Sequence, residues 1–90
     1  MFANKLSKSH FYILMLQIYE ATELKNGKRY FYLSSPTEVT KQFIIHARRL
    51  GFITFCHNVL IGSQVCPVFM FTQRGVRVNN AVFKKLNGGM

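Results

Sequence analysis

Residues 35–53 read Ser-Pro-Thr-Glu-Val-Thr-Lys-Gln-Phe-Ile-Ile-His-Ala-Arg-Arg-Leu-Gly-Phe-Ile, and the fold is decided there. A serine ahead of proline, with Glu38 three residues after Ser35, combines a capping box with proline at the first helical position. Helical spacing then continues to Leu50 and stops at Gly51, which predicts a helix over 36–50. Thr40, Phe43, Ile44, Ala47 and Leu50 form its inward stripe. Lys41, Gln42, Ile45, Arg48 and Arg49 face outward, and the acid Glu38 lies in the first turn, where the helix dipole favours it.

Beyond Gly51 the period changes to that of a strand. Ile53, Phe55, His57, Val59 and Ile61 alternate up to Gly62-Ser63, and a second run extends from Gln64 to Thr72. Glycine at the first central position suits a two-residue type II′ turn. In that register Ile61 faces Gln64, Val59 faces Cys66, Asn58 faces Pro67 and Cys56 faces Phe69. The proline requires an edge or a bulge in its strand. A last helix is expected from Gly75 to Leu86, with Val78, Ala81, Val82 and Leu86 inward and Lys84 and Lys85 exposed.

Upstream, Ser7 or Ser9 caps a helix running to Leu24, with Phe11, Leu14, Met15, Ile18 and Thr22 at helical spacing. Lys25-Asn26-Gly27 reads as its basic last turn and left-handed stop. Phe11 to Leu16 is apolar on every face, which places this helix at the centre of the core or against a partner. Lys28 to Leu33 is a short aromatic strand. The sequence therefore predicts one small α+β domain over residues 1–90, in the order helix, short strand, helix, β-hairpin, helix.

Composition narrows the function. The 90 residues are 49% hydrophobic and 17% charged, enough apolar surface for a core. Twelve Lys and Arg stand against three acids, Glu20, Glu23 and Glu38, for a net charge of +9. Most acid–base and two-metal chemistry needs paired or clustered carboxylates. Glu20 and Glu23, three apart, read instead as charge balance on a helix surface. No catalytic residue is assigned, and the chain is not read as an enzyme. Cys56 and Cys66 are read as free thiols; with no C-x₂-C or H-x₃-H spacing, no metal or cofactor is expected. Lys5 and Lys8 before Phe11–Leu16 imitate a signal peptide, but Gln17 and Glu20 interrupt the run and Tyr19-Glu20-Ala21 is a poor cleavage site. The run is also far short of the roughly 20 residues that span a bilayer. A cytoplasmic protein without a membrane partner is expected, and the surplus charge points to a polyanion.

Two motifs carry a resemblance. Glu38-Val39-Thr40-Lys41-Gln42-Phe43 with Ala47-Arg48-Arg49-Leu50-Gly51-Phe52-Ile53 resembles a winged-helix recognition helix and its step into the wing. Val68-Phe69-Met70-Phe71-Thr72-Gln73-Arg74-Gly75 is similar to the exit from the second wing strand into the last helix. The likeness is to small regulators of the multiple-antibiotic-resistance and phenolic-acid-decarboxylase repressor kinds and covers Ser34 to Leu86. The positioning helix that precedes the recognition helix in those proteins is reduced or missing, since only the aromatic strand lies between Gly27 and Pro36.

The resemblance implies a transcriptional regulator that binds duplex DNA through the 36–50 helix in the major groove. Thr37, Lys41 and Gln42, with Ser35 at the helix start, are then near base edges, while Arg48, Arg49, Lys28 and Arg29 touch phosphates. Asn58 to Pro67 carries no charge, so this apolar hairpin, or the first helix, is expected to meet a second subunit or another protein. Two alternatives stay open. One is a protein-interaction module docking through the hairpin on a transcription, replication or conjugation assembly. The other is a single-stranded DNA or RNA binder using Tyr30 and Tyr32 as a stacking platform beside Lys28 and Arg29.

Overall fold

The computed structural model describes residues 6–87. Within them the chain forms α1 (Lys8–Glu20), β1 (Glu23–Lys25), β2 (Lys28–Tyr32), α2 (Glu38–Arg49), β3 (Ile53–Ile61), β4 (Gln64–Phe71) and α3 (Gln73–Leu86). The strands make one antiparallel sheet in the order β1-β2-β4-β3. The α+β class holds, with one strand more than the sequence reading foresaw.

That strand comes from the end of α1. The helix is capped by Ser7, whose hydroxyl accepts from the His10 amide at 3.1 Å. It stops at Glu20 rather than Leu24, because the Thr22 amide and hydroxyl both donate to the Tyr19 carbonyl, at 3.2 and 2.6 Å. Asn26 and Gly27, read as a helix stop, are the turn of a hairpin. Their φ angles of +53° and +77° are both left-handed, as a type I′ turn demands, and Asn-Gly is the pair that adopts it most readily. Glu23, Leu24 and Lys25 thereby pair with Tyr30, Arg29 and Lys28.

The cap of α2 also moves. Thr37, not Ser35, accepts from the Thr40 amide at 3.2 Å, and the helix begins at Glu38 with Pro36 outside it. A threonine here satisfies the same orphan amide as a serine, and Pro36 then holds only the approach to the helix. The far end follows expectation. Gly51, at φ +79°, donates to Arg48 O at 3.1 Å while Phe52 donates to Ala47 O at 2.9 Å, the paired bonds of a Schellman ending. Phe43 and Ala47 are fully buried; Leu50, expected inward, lies past the last turn and is 39% exposed.

The Gly51-Phe52 step is the joint of the fold. The Thr72 amide donates to Phe52 O at 2.9 Å, and its hydroxyl donates to Gly51 O at 2.6 Å. That same hydroxyl oxygen accepts from the Gly75 amide at 3.0 Å and caps α3, which starts at Gln73 rather than Gly75. A Cβ on Gly75 would lie 2.1 Å from Phe52 O, so only glycine lets α3 come this close. This contact sets the rotation of α3. Gly75 and Asn79 are buried with Val78 and Val82 half-buried, while Ala81, expected inward, turns to solvent and Leu86 projects beyond the core at 60% exposure. The Asn79 Oδ1 is buried without a hydrogen-bond partner among the described residues.

The core lies between the helices and one face of the sheet. Phe11 of α1 meets Phe43 at 5.1 Å and Phe52 at 6.3 Å, Tyr19 meets Phe71 at 5.1 Å, and Phe31 meets Phe69 and Phe71 at 5.7 and 5.6 Å. Phe11, Phe43, Leu6 and Met15 are fully buried, each worth about 1.5–3 kcal/mol of hydrophobic stabilisation. The hairpin keeps its predicted partners from Ile61–Gln64 to Asn58–Pro67, and Gly62 takes φ +63° at its turn. Cys56 does not face Phe69. A bulge between Phe55 and His57 gives that place to Phe55 and leaves Cys56 the extra residue. Strand β2 pairs only as far as Val68, so Pro67 lies just beyond the three-stranded part of the sheet.

Candidate nucleic-acid interface

The expected site residues divide into three places. On α2, Glu38, Lys41, Gln42, Ile45, Arg48 and Arg49 share the face turned away from Phe43, His46 and Ala47, and all but half-buried Gln42 are exposed. An α-helix with side chains is about 10–12 Å across, near the width of the DNA major groove. Ser35 is exposed in the loop before the helix. Thr37 is occupied as the cap, and its Oγ1 also lies 3.3 Å from Thr40 Oγ1. Gln42 Nε2 donates to the Glu38 carboxylate at 3.4 Å, a long bond across one helical turn. Lys41 is the exposed cation nearest the start of α2.

Arg48 and Arg49 end the same face. The Arg48 guanidinium sits 5.9 Å from the Phe69 ring centroid, a cation–π distance that fixes its stem over the sheet while the residue stays exposed. Arg49 has a second effect. Burial first, and then the nearby Arg49 charge, hold the His46 imidazole below the ordinary histidine range. His46 is 9% exposed, on the inner side of α2.

Two arginines that sequence reading passed over extend this basic face. Arg74 Cδ lies 3.9 Å from where a Cβ on Gly51 would stand, which brings the Arg74 side chain beside the turn that ends α2. Arg77 follows one helical turn later, and both are exposed. Lys41, Arg48, Arg49, Arg74 and Arg77 thus form a band in which the only acid on the two helices is Glu38. The signal was present in Thr72-Gln73-Arg74-Gly75, but the Gly51–Thr72 contact that folds it back is not visible in a linear pattern.

Lys28 and Arg29 lie elsewhere, on β2, and do not act together. Arg29 is half-buried; its guanidinium stacks 4.7 Å above the Tyr19 ring and donates to Thr22 Oγ1 at 3.3 Å. It ties the first hairpin to α1. Lys28 is exposed on the opposite face of the strand, directly across from Lys25.

Alternation along β2 separates its aromatics. Phe31 enters the core, whereas Tyr30 and Tyr32 face away from it, paired beside Met70 and Val68. The two tyrosines line an open groove of about 740 Å³ with Lys25, His57, Val59 and Val68. Among the described residues, no group of three or more His, Cys, Asp or Glu is placed to hold a metal, and no helix is long and apolar enough to cross a membrane. Cys56 and Cys66 are free thiols. The chain matches no protein-family model, no curated protein and no solved structure.

Proposed function

We propose that this protein binds duplex DNA without catalysing a reaction, presenting α2 to the major groove as a winged-helix regulator does. The observation that carries this reading is the basic band of Lys41, Arg48, Arg49, Arg74 and Arg77 across the adjoining ends of α2 and α3. Five like charges on one surface repel each other, and phosphates relieve that repulsion. The element order and the joining of Gly51-Phe52 to Thr72 and Gly75 bring the two motif segments together, which supports the winged-helix likeness. The segment from Leu33 to Thr37 forms no helix, so α2 here would meet DNA without a positioning helix in front of it.

Lys41, exposed near the helix start, is the base reader; Arg48, Arg49, Arg74 and Arg77 hold phosphates and set the register. A second copy is the partner that the hairpin suits. Strand β3 is a sheet edge of nine residues with no Lys, Glu or Pro to protect it. Leu60 and Val65 lie exposed side by side at 66% and 63%. Because copies carrying +9 repel elsewhere, the charge-free hairpin is where two can meet, and two-fold pairing along β3 would serve a palindromic site. The test is competition binding with Lys41→Ala: affinity for a selected site falls by about 1–3 kcal/mol more than affinity for random duplex. Equal loss on both duplexes, or none, would remove Lys41 from the base-reading role.

A further inference from the structure

The open face of the sheet has a composition that core packing does not account for. In β2, Lys28, Tyr30 and Tyr32 alternate onto one face, and β1 sets Lys25 and Glu23 beside the first two. Phe31, between the tyrosines, supplies the aromatic that the core uses. Tyr32 is 45% exposed and Tyr30 half-buried, and both rings border the groove. Large aromatic side chains facing solvent in pairs give up the burial that makes them favourable in a sheet.

The lysines are the second observation. Lys25 and Lys28 are directly opposed across an antiparallel pair, where Cβ atoms stand about 4.5–5.5 Å apart and like charges destabilise the sheet. The hairpin keeps this pair although an acid at either position would stabilise it. An anion bound there removes the repulsion.

Spacing identifies the anion's form. Two residues along a strand cover about 6.6–6.8 Å, roughly twice the 3.4 Å rise of stacked bases in a duplex strand. Rings so placed receive bases that have been pulled apart, not bases stacked on each other. We propose that the sheet face bounded by Tyr30, Tyr32, Lys25 and Lys28 is a second nucleic-acid site, which binds an unpaired stretch of DNA by stacking two bases on the tyrosines with the phosphate beyond the Tyr30 base, on the side away from Tyr32, near the lysines. Choosing DNA over RNA rests on the reading of α2; the site itself does not.

The chain has no tryptophan and four tyrosines, two of them on this face, so stacking is read as the part of the emission quench that is lost with Tyr30 and Tyr32. The experiment titrates the full chain with a fluorescent oligo-dT of 12 nucleotides, a hairpin duplex of equal charge and an oligo-rU. Oligo-dT binding quenches tyrosine emission, and Tyr30→Leu/Tyr32→Leu weakens it about fivefold or more while duplex binding is kept. Tyr30→Phe/Tyr32→Phe restores affinity, because stacking needs the ring and not the hydroxyl. Lys25→Ala gives the signature that a structural role would not: it weakens oligo-dT binding and leaves the thermal midpoint equal or higher. That variant carries the test if the leucine pair fails to fold. Arg48→Gln/Arg49→Gln weakens duplex binding and flattens its salt slope while oligo-dT binding is kept, so failure of the α2 reading and failure of this one are distinguishable. The proposal is overturned if the leucine pair folds and binds oligo-dT as wild type does, if Arg48→Gln/Arg49→Gln weakens oligo-dT and duplex binding alike, or if oligo-rU binds more tightly than oligo-dT.

Discussion

Replacing Arg48 and Arg49 together by glutamine removes two positive charges from the end of α2 and keeps most of each side chain's length. If all five cations of the band neutralise phosphates, the logarithm of the binding constant falls with the logarithm of salt concentration at a slope of about −4.5. The double variant, with three contacts left, has a slope of about −2.7. Between 50 and 200 mM salt, affinity then drops roughly 500-fold for the wild type and roughly 40-fold for the variant, so the gap between them narrows about 12-fold. Stability enters through Arg48, whose cation–π contact with Phe69 is worth about 0.5–1 kcal/mol at an exposed site. Loss of Arg49 acts oppositely, since it lowers repulsion within the band. A urea melt of the variant therefore stays within about 1 kcal/mol of wild type. Fluorescence anisotropy with random duplex at four salt concentrations gives both slopes. Parallel lines for the two proteins would refute the placement of Arg48 and Arg49 on phosphates, and a shallow wild-type slope near −1 would refute the band as a whole.

Three other outcomes follow from the fold. Gly75→Ala forces a Cβ to within 2.1 Å of Phe52 O; urea unfolding should show a loss of about 3 kcal/mol or more despite alanine's better helix propensity, whereas a neutral or stabilising effect would show that the α3 contact is slack. The His46 pKa is lowered on folding, so the unfolded chain binds more protons: the stability this group provides is intact above the ordinary histidine value of about 6.5 and is lost as pH falls from there through the folded value. A urea midpoint that drops between pH 7.5 and 5.5 in wild type, and drops less in His46→Gln, is the expected result; identical pH profiles would refute the assignment. Sedimentation velocity should find a dimer that Leu60→Lys converts to a monomer with an unchanged circular-dichroism spectrum, and a wild type that remains monomeric at high concentration would exclude pairing along β3.

What the sequence made legible was what local chemistry controls. Gly51 ended α2 and Gly62 turned the second hairpin because each needs a left-handed backbone that its neighbours cannot take at low cost. Phe43 and Ala47 were identifiable as core from spacing alone. The misreadings arose where two local signals competed. Asn26-Gly27 is both a helix stop and a hairpin turn, and the pairing of Glu23–Lys25 with Lys28–Tyr30 on either side of it decides between them. Ser35 and Thr37 are both good caps beside one proline, and spacing did not rank them. The candidate site was half legible: Lys41, Arg48 and Arg49 fall on the exposed face as read, but Arg29 is committed to Tyr19 and Thr22. Arg74 joins the band only through the contact between Gly51 and Thr72, 21 residues apart in sequence. Tyr30 and Tyr32 were separable from Phe31 by alternation, yet which side faced the core required the helices to be in place.

The proposed DNA surface is the face of α2 together with the first turn of α3. Backbone amide chemical-shift mapping by NMR, on isotopically labelled protein titrated with a short duplex, tests it most directly. The largest shifts are expected at Thr37–Lys41, at Arg48–Gly51 and at Arg74–Arg77, with the Asn58–Pro67 hairpin unmoved by DNA. Shifts centred on that hairpin, or spread evenly over every exposed lysine and arginine, would contradict it.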